Sequence, residues 1–194
     1  MAKKWWLLVV IFCGMRSEIM AKKVALVIAH KQFQPVEYFG TKDVLEKAGI
    51  AVVTASNQVG PAYDGIDNKP TAVDKTVDEL NVNDYAGIFL IGGRGAMDHL
   101  DNKKVYALMV KARDARLVWG AICISPRILV HADIVRGTVM TGWDDDHKLK
   151  PILESAGARL DAKPVVFDRE NNLITAQGPK ASEAFGQAIV AALQ

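Results

Sequence analysis

The sequence predicts an α/β fold: a three-layer sandwich in which helices cover both faces of a mostly parallel sheet. Short β-branched apolar runs recur along the chain, KKVALVIA at 22–29, IAVVTAS at 50–56, YAGIFLIGG at 85–93 and RLVWGAI at 116–122. Continuous runs of this kind suit strands buried on both faces. Segments of helical character alternate with them, several opened by proline or stopped by glycine. Half of the 194 residues are hydrophobic and 24% are charged, an ordinary globular mix that buries a core without disulfides or metals.

The elements follow in order. The run at 22–29 is a buried strand. Pro35 opens a helix that reaches Ala48 and is stopped by Gly49. A second strand covers 50–56. Residues 57–73, rich in Gly, Pro, Asn and Asp, read as a loop with short strands. Asp74–Asn81 reads as one helical turn or a short helix. The strand at 85–91 ends in a glycine pair. Lys103–Arg113 places Val105, Leu108, Met109 and Ala112 at helical spacing. A strand at 116–122 leads to a helix opened by Ser125-Pro126 and reaching Ala132. A short strand at 138–142 and a helix at 148–156 follow, the helix stopped by Gly157. PVVFD at 164–168 and NLITAQ at 172–177 pair as a hairpin or form two short strands, and Ala181–Leu193 is an amphipathic terminal helix.

Charge separates the first 19 residues from the rest. Lys3, Lys4 and Arg16 against Glu18 give that segment the whole formal charge of +2, and 20–194 is neutral. A small, evenly spread charge does not suggest a nucleic-acid partner. The run WWLLVVIFC at 5–13 follows two lysines and looks like a secretory signal. It is too short to span a bilayer, which takes about 20 residues. No small-residue cleavage pattern follows it, and MAKK at 1–4 recurs at 20–23. Residues 1–19 are therefore read as an extension or signal-like leader, with an anchor role left open, and 20–194 as the functional domain. The cysteines are Cys13 and Cys123, too few for a disulfide framework or a Cys-rich metal site. A lone thiol in the body fits a reducing, cytoplasmic setting.

In such sheets ligands bind beyond the carboxyl ends of the strands. Three loops are placed there. After the strand at 116–122, Cys123 sits on a sharp turn into a helix, a nucleophile elbow in outline. The amino end of that helix favours a thiolate, and Ser125 is placed to cap it. A buried structural cysteine is the alternative. After the strand at 85–91, Gly92-Gly93-Arg94-Gly95 lets backbone approach a ligand, and its N–H groups with that of Ile124 suit an oxyanion hole. The run is not a phosphate-binding motif, and a plain tight turn is the alternative. After the strand at 22–29, Glu37 falls in the first turn of a helix, facing Cys123 or simply complementing the helix dipole. His30 and His99 are possible neighbours. No histidine pattern suits zinc, and no metal or cofactor is expected.

These three loops together resemble the ThiJ/PfpI family, within the class I glutamine amidotransferase-like superfamily. The match runs through 22–193 and includes PVEYFG, GGRGAMDHL, GAICISPRILVHA, IVRG and GPKASEAFGQAIVAAL. The resemblance implies a flavodoxin-like sandwich with Cys123 as nucleophile, Glu37 as the acid that hydrogen-bonds it, and Gly93 and Ile124 as oxyanion-hole donors. It also implies a homodimer or larger homo-oligomer. A carboxyl beside an anion in a dry crevice stays protonated and is expected to lower the thiol pKa. The protease branch typically carries histidine after the nucleophile, where this chain has Ile124. That departure leaves the thiol without its usual base for amide attack.

Three functions compete. One is a cofactor-independent cysteine enzyme acting on small reactive aldehydes or glycated substrates, similar to glyoxalase III and the deglycases. A second is an intracellular peptidase or hydrolase whose base comes from His30, His99 or another subunit. A third is a redox-sensing or chaperone-like stress protein, since an accessible low-pKa thiol oxidises readily.

Overall fold

The computed structural model describes residues 22–194. The leader expected at 1–19 lies outside the described residues. The elements are β1 (Lys23–Ile28), β2 (Lys31–Phe33), α1 (Pro35–Lys47), β3 (Ala51–Ser56), β4 (Ala62–Asp64), β5 (Pro70–Thr71) and β6 (Lys75–Thr76). They continue with β7 (Gly87–Leu90), α2 (Arg94–His99), α3 (Lys103–Asp114), β8 (Val118–Ile122), α4 (Pro126–His131) and β9 (Val139–Met140). The last are α5 (Leu149–Ser155), β10 (Arg159–Leu160), β11 (Val165–Asp168), β12 (Leu173–Ala176) and α6 (Ser182–Leu193).

A seven-stranded sheet in the order β11-β12-β8-β7-β1-β3-β6 organises the chain. Only β11 runs antiparallel to its neighbour; the other pairings are parallel. From β1 the chain crosses one way to β3, and from β7 it crosses the other way to β8. Right-handed crossovers in opposite directions put α1 and α3 on opposite faces. Helix α6 packs against α1 on one side, and α3 against α4 on the other, which completes the three layers. Residues Val24–Ala29 and Ile88–Ile91 are wholly buried, as strands covered twice must be. Trp119 fills the centre of β8, and its indole N–H donates to the Asn171 carbonyl at 2.8 Å.

The structure refines several sequence expectations. The segment after β1 was expected to be loop, but β2 pairs with β4, and β4 with β5, in a separate three-stranded sheet. Of the one helical turn or short helix expected over 74–81, the structure has the single turn, a 3-10 turn at Val77–Glu79 that follows β6. Residues 94–99, taken as the tail of a glycine loop, form the short helix α2. The strand at 138–142 is reduced to two paired residues, whereas β11 and β12 do form the antiparallel pair.

Gly120 shows how closely the strands beneath the site are fitted. A Cβ placed there would fall 1.7 Å from the Ile174 carbonyl oxygen of β12, and backbone cannot swing aside as a side chain can. Gly120→Ala is expected to cost about 3 kcal/mol, near the upper end of overpacking penalties. In a thermal melt this is a fall in Tm of roughly 10 °C; an unchanged melt would show that β8 and β12 separate freely.

Candidate active site

Strands β1, β7 and β8 are neighbours, so the loops that leave their carboxyl ends meet in one crevice. The first loop supplies Glu37. Helix α1 starts at Pro35, with the Gln34 side chain accepting from the Val36 N–H at 3.2 Å. Its inner face is anchored by Tyr38, whose hydroxyl pairs with that of Thr54 at 2.6 Å and whose ring meets Phe33 edge-on. Glu37 precedes Tyr38 and is fully buried. Its Oε2 accepts from the Gly92 N–H at 3.0 Å, while Oε1 is buried without a geometrically satisfactory donor. The Gln34 N–H in turn donates to the Gly92 carbonyl at 3.0 Å, which ties the first two loops together.

Cys123 sits at the end of β8 with φ of +66°, the left-handed conformation of a strained elbow. Its N–H donates to the Ala176 carbonyl at 2.9 Å, and its carbonyl accepts from the Trp143 N–H at 2.7 Å. The elbow is therefore held on both sides, and the thiol is half-buried. The groups that act on the sulfur are Glu37 and the N–H groups of Ile124 and Gly93, both of which hydrogen-bond it. Gly93 carries φ of +114°, a conformation that an L residue resists, and this turns its N–H inward.

Gly92 separates thiol from carboxyl. A Cβ at Gly92 would lie 2.5 Å from the Cys123 Cβ and 2.7 Å from Glu37 Oε2. Only glycine lets the two side chains approach. Gly178, which was not singled out as a site residue, also faces them: a Cβ there would stand 3.9 Å from both Cys123 Sγ and Glu37 Oε1. In the sequence it was visible only as the glycine of GPKAS, distant along the chain from every other site residue.

Burial pushes the Glu37 carboxyl up to about 7, against the pull of its bonds to Cys123 and Gly92. Burial and the charge of an ionised Glu37 also push the thiol up, more than Ile124 and Gly93 pull it down. This corrects the expectation of a simply depressed thiol pKa. The two groups titrate as a pair: one negative charge is accepted near neutrality, and a second is strongly opposed. A thiolate is favoured only while the proton stays on Glu37.

The other expected neighbours take different positions. Ser125 does not cap α4; its buried hydroxyl donates to the Ile91 carbonyl at 2.9 Å, because that acceptor at the end of β7 needs a partner inside the fold. Arg94 is exposed at the first position of α2. The His30 N–H donates to Asn57 Oδ1 at 2.9 Å, and its ring lies edge-on to Tyr63. Burial, Lys31 and His99 lower its pKa, which places it near His99. Neither histidine is among the main influences on the Cys123 thiol. Among the described residues no cluster of three or more His, Cys, Asp or Glu is placed to hold a metal, and no helix is long and apolar enough to cross a membrane.

Comparison with known proteins agrees with this architecture. An uncharacterized protein of Methanocaldococcus jannaschii is 33% identical over 180 residues, covering 92% of this chain and 86% of its own length. The protein/nucleic acid deglycase 2 of Escherichia coli is 30% identical over 174 residues, covering 87% and 95%. The crystal structure of a ThiJ/PfpI domain protein from Brachyspira murdochii superposes with a TM-score of 0.82 at 24% identity, over 89% of this chain and 96% of that one. With the family model described as DJ-1/PfpI family matching residues 22–192, the chain belongs to the DJ-1/PfpI family.

Proposed function

We propose that this protein is a cofactor-independent enzyme acting on small reactive carbonyls, with Cys123 as nucleophile and Glu37 as proton carrier. One observation supports this above the others: a fully buried carboxyl, held to a pKa of about 7, is the main side-chain partner of an elbow thiol. With methylglyoxal, the thiolate adds to the aldehyde carbon and the carbonyl π pair moves to oxygen, which takes the Glu37 proton. The hemithioacetal forms, and Glu37 becomes a carboxylate. The carboxylate removes the hydrogen from that carbon and passes it to the neighbouring carbonyl oxygen, which gives an enediol. It then takes the proton of the first hydroxyl and delivers it to the neighbouring carbon, leaving a thioester beside a new hydroxyl. Water then cleaves the resulting thioester, releasing lactate and restoring the thiol. The N–H groups of Ile124 and Gly93 stabilise negative charge on sulfur and, after addition, at the adjacent oxygen.

The 30% identity to a named deglycase supports a second substrate form, the adducts such carbonyls leave on amines. The same thiol and carboxyl would act on them. Peptidase chemistry is less favoured, because neither His30 nor His99 is among the main influences on the thiol. We also propose a homodimer or larger homo-oligomer in a reducing, cytoplasmic setting. Val36 and Phe39, 49% and 47% exposed on α1 beside Glu37, offer apolar surface for a second copy.

Lactate measured from methylglyoxal without glutathione tests the reading. Cys123→Ala should abolish turnover, and Glu37→Gln should lower kcat by at least about 100-fold, the range of general acid–base catalysis. Wild-type activity equal to that of Cys123→Ala would overturn it.

Glu37 also leaves a mark on stability. Its folded pKa is raised, so folding favours the protonated form, and the stability present below pH 4.5 is lost as pH rises through about 7. At about 1.4 kcal/mol per unit, this loss is about 3 kcal/mol. Urea denaturation at pH 4.5 and pH 8 should show Glu37→Gln gaining on the wild type by about that amount at the higher pH. Parallel profiles would mean that the carboxyl ionises freely in the folded chain.

A further inference from the structure

From the geometry at the end of β12 we infer that Gly178 determines which substrates reach the Cys123–Glu37 pair, a role that rests on the carbonyl chemistry proposed above. A Cβ on Gly178 would stand 3.9 Å from Sγ and 3.9 Å from Oε1, with nothing else outside its chain neighbours within 4 Å. Those are ordinary van der Waals distances. A side chain at 178 would rest against both reacting atoms and cover them from that side. The bare Cα leaves that space unfilled beside the half-buried thiol, with the buried carboxyl oxygen behind it. Oε1, buried and without a well-placed donor, is the polar atom within 3.9 Å of that space.

The wall cannot easily retreat. The Gln177 N–H donates to the Pro164 carbonyl at 2.9 Å, and the Gln177 side-chain amide donates to the Ala162 carbonyl at 2.9 Å. The Ala181 N–H donates to the Gly178 carbonyl at 2.8 Å, and Pro179 fixes the chain between them. Two residues earlier, the Ala176 carbonyl accepts the Cys123 N–H. The wall of that space and the elbow are thus parts of one rigid frame. Space kept free of even one methyl beside the sulfur suits an unbranched terminal aldehyde better than a carbonyl with bulky groups on the reacting carbon. Gly178 is a specificity-determining residue; it takes no part in proton or electron transfer.

The test compares wild type with Gly178→Ala. Turnover is measured with glyoxal, methylglyoxal and phenylglyoxal, and alkylation of Cys123 with iodoacetamide, N-ethylmaleimide and N-phenylmaleimide, by mass spectrometry. One added methyl in a fitted site is worth about 10- to 200-fold. Gly178→Ala should therefore lose at least about tenfold in kcat/KM and in alkylation rate, more for the larger probe of each series. Gly178 has φ of +159°, which an L residue resists, so the variant should melt lower, and an unchanged pH dependence of stability would show that the pair itself is intact. Rates within twofold of wild type for all probes would overturn the inference. If wild type turns over none of the aldehydes, the proposed function fails, and the alkylation series still decides the role of Gly178. Should Gly178→Ala not fold, the wild-type series decides it: rates relative to free cysteine that fall steeply with probe size support the filter, and flat ratios overturn it.

Discussion

The burial of one carboxyl against one sulfur governs the rest of the site. A buried Glu is costly unless it is neutral or well partnered. Glu37 has one firm partner, the Gly92 N–H, and one oxygen turned toward the thiol. Keeping it there constrains three separate strands. Helix α1 must follow β2 without slack, so that its first turn reaches the crevice. Residue 92 must lack a side chain, since a Cβ would strike both Cys123 and Glu37. The end of β12 must stay bare as well, or the pair would be covered.

The elbow carries the strain that this arrangement demands. A non-glycine residue in the left-handed region costs about 1–2 kcal/mol. At Cys123 that cost is offset by backbone bonds on both sides, to Ala176 and from Trp143. The second bond depends on the segment after β9, which is itself pinned. The buried Arg127 guanidinium grips Asp146 through two bonds of 2.6 and 3.0 Å and stacks on the Trp143 ring at 5.2 Å. Asp144 closes the same segment by accepting the Leu149 N–H at 2.6 Å. The acidic run Asp144–Asp146 thus braces the Cys123 elbow.

What the sequence made legible, and what it hid, follows from the range of the interactions involved. β1, β7 and β8 could be read because strands buried on both faces need unbroken apolar runs, and α1 because Pro35 and Gly49 mark its ends locally. Glu37 and Cys123 could be paired because each lies just beyond a strand end. Strand β2 has three residues and α2 has six, too few to display a period. The Ser125 hydroxyl had a local role available as a cap, and lost it to the Ile91 carbonyl across the sheet. Gly178 carries no local signal of its place in the site, because the atoms it faces belong to residues 55 and more positions away.

The electrostatics of the pair bear on which chemistry suits it. A carboxyl with a pKa of about 7 is present as acid and as base in comparable amounts at neutral pH. In the proposed isomerisation the same proton site serves twice, first giving a proton to oxygen and then taking one from carbon. Nothing leaves until water arrives, so a single carboxyl is enough. Amide cleavage asks for more, because the departing nitrogen must be protonated while sulfur is still attached. A Cys–His pair meets that need by lodging the thiol proton on an imidazole that then turns to the amine. Here the position after the nucleophile is Ile124, whose contribution is its backbone N–H to sulfur. An apolar residue in that position, which is a defect for a peptidase, costs an aldehyde isomerase nothing.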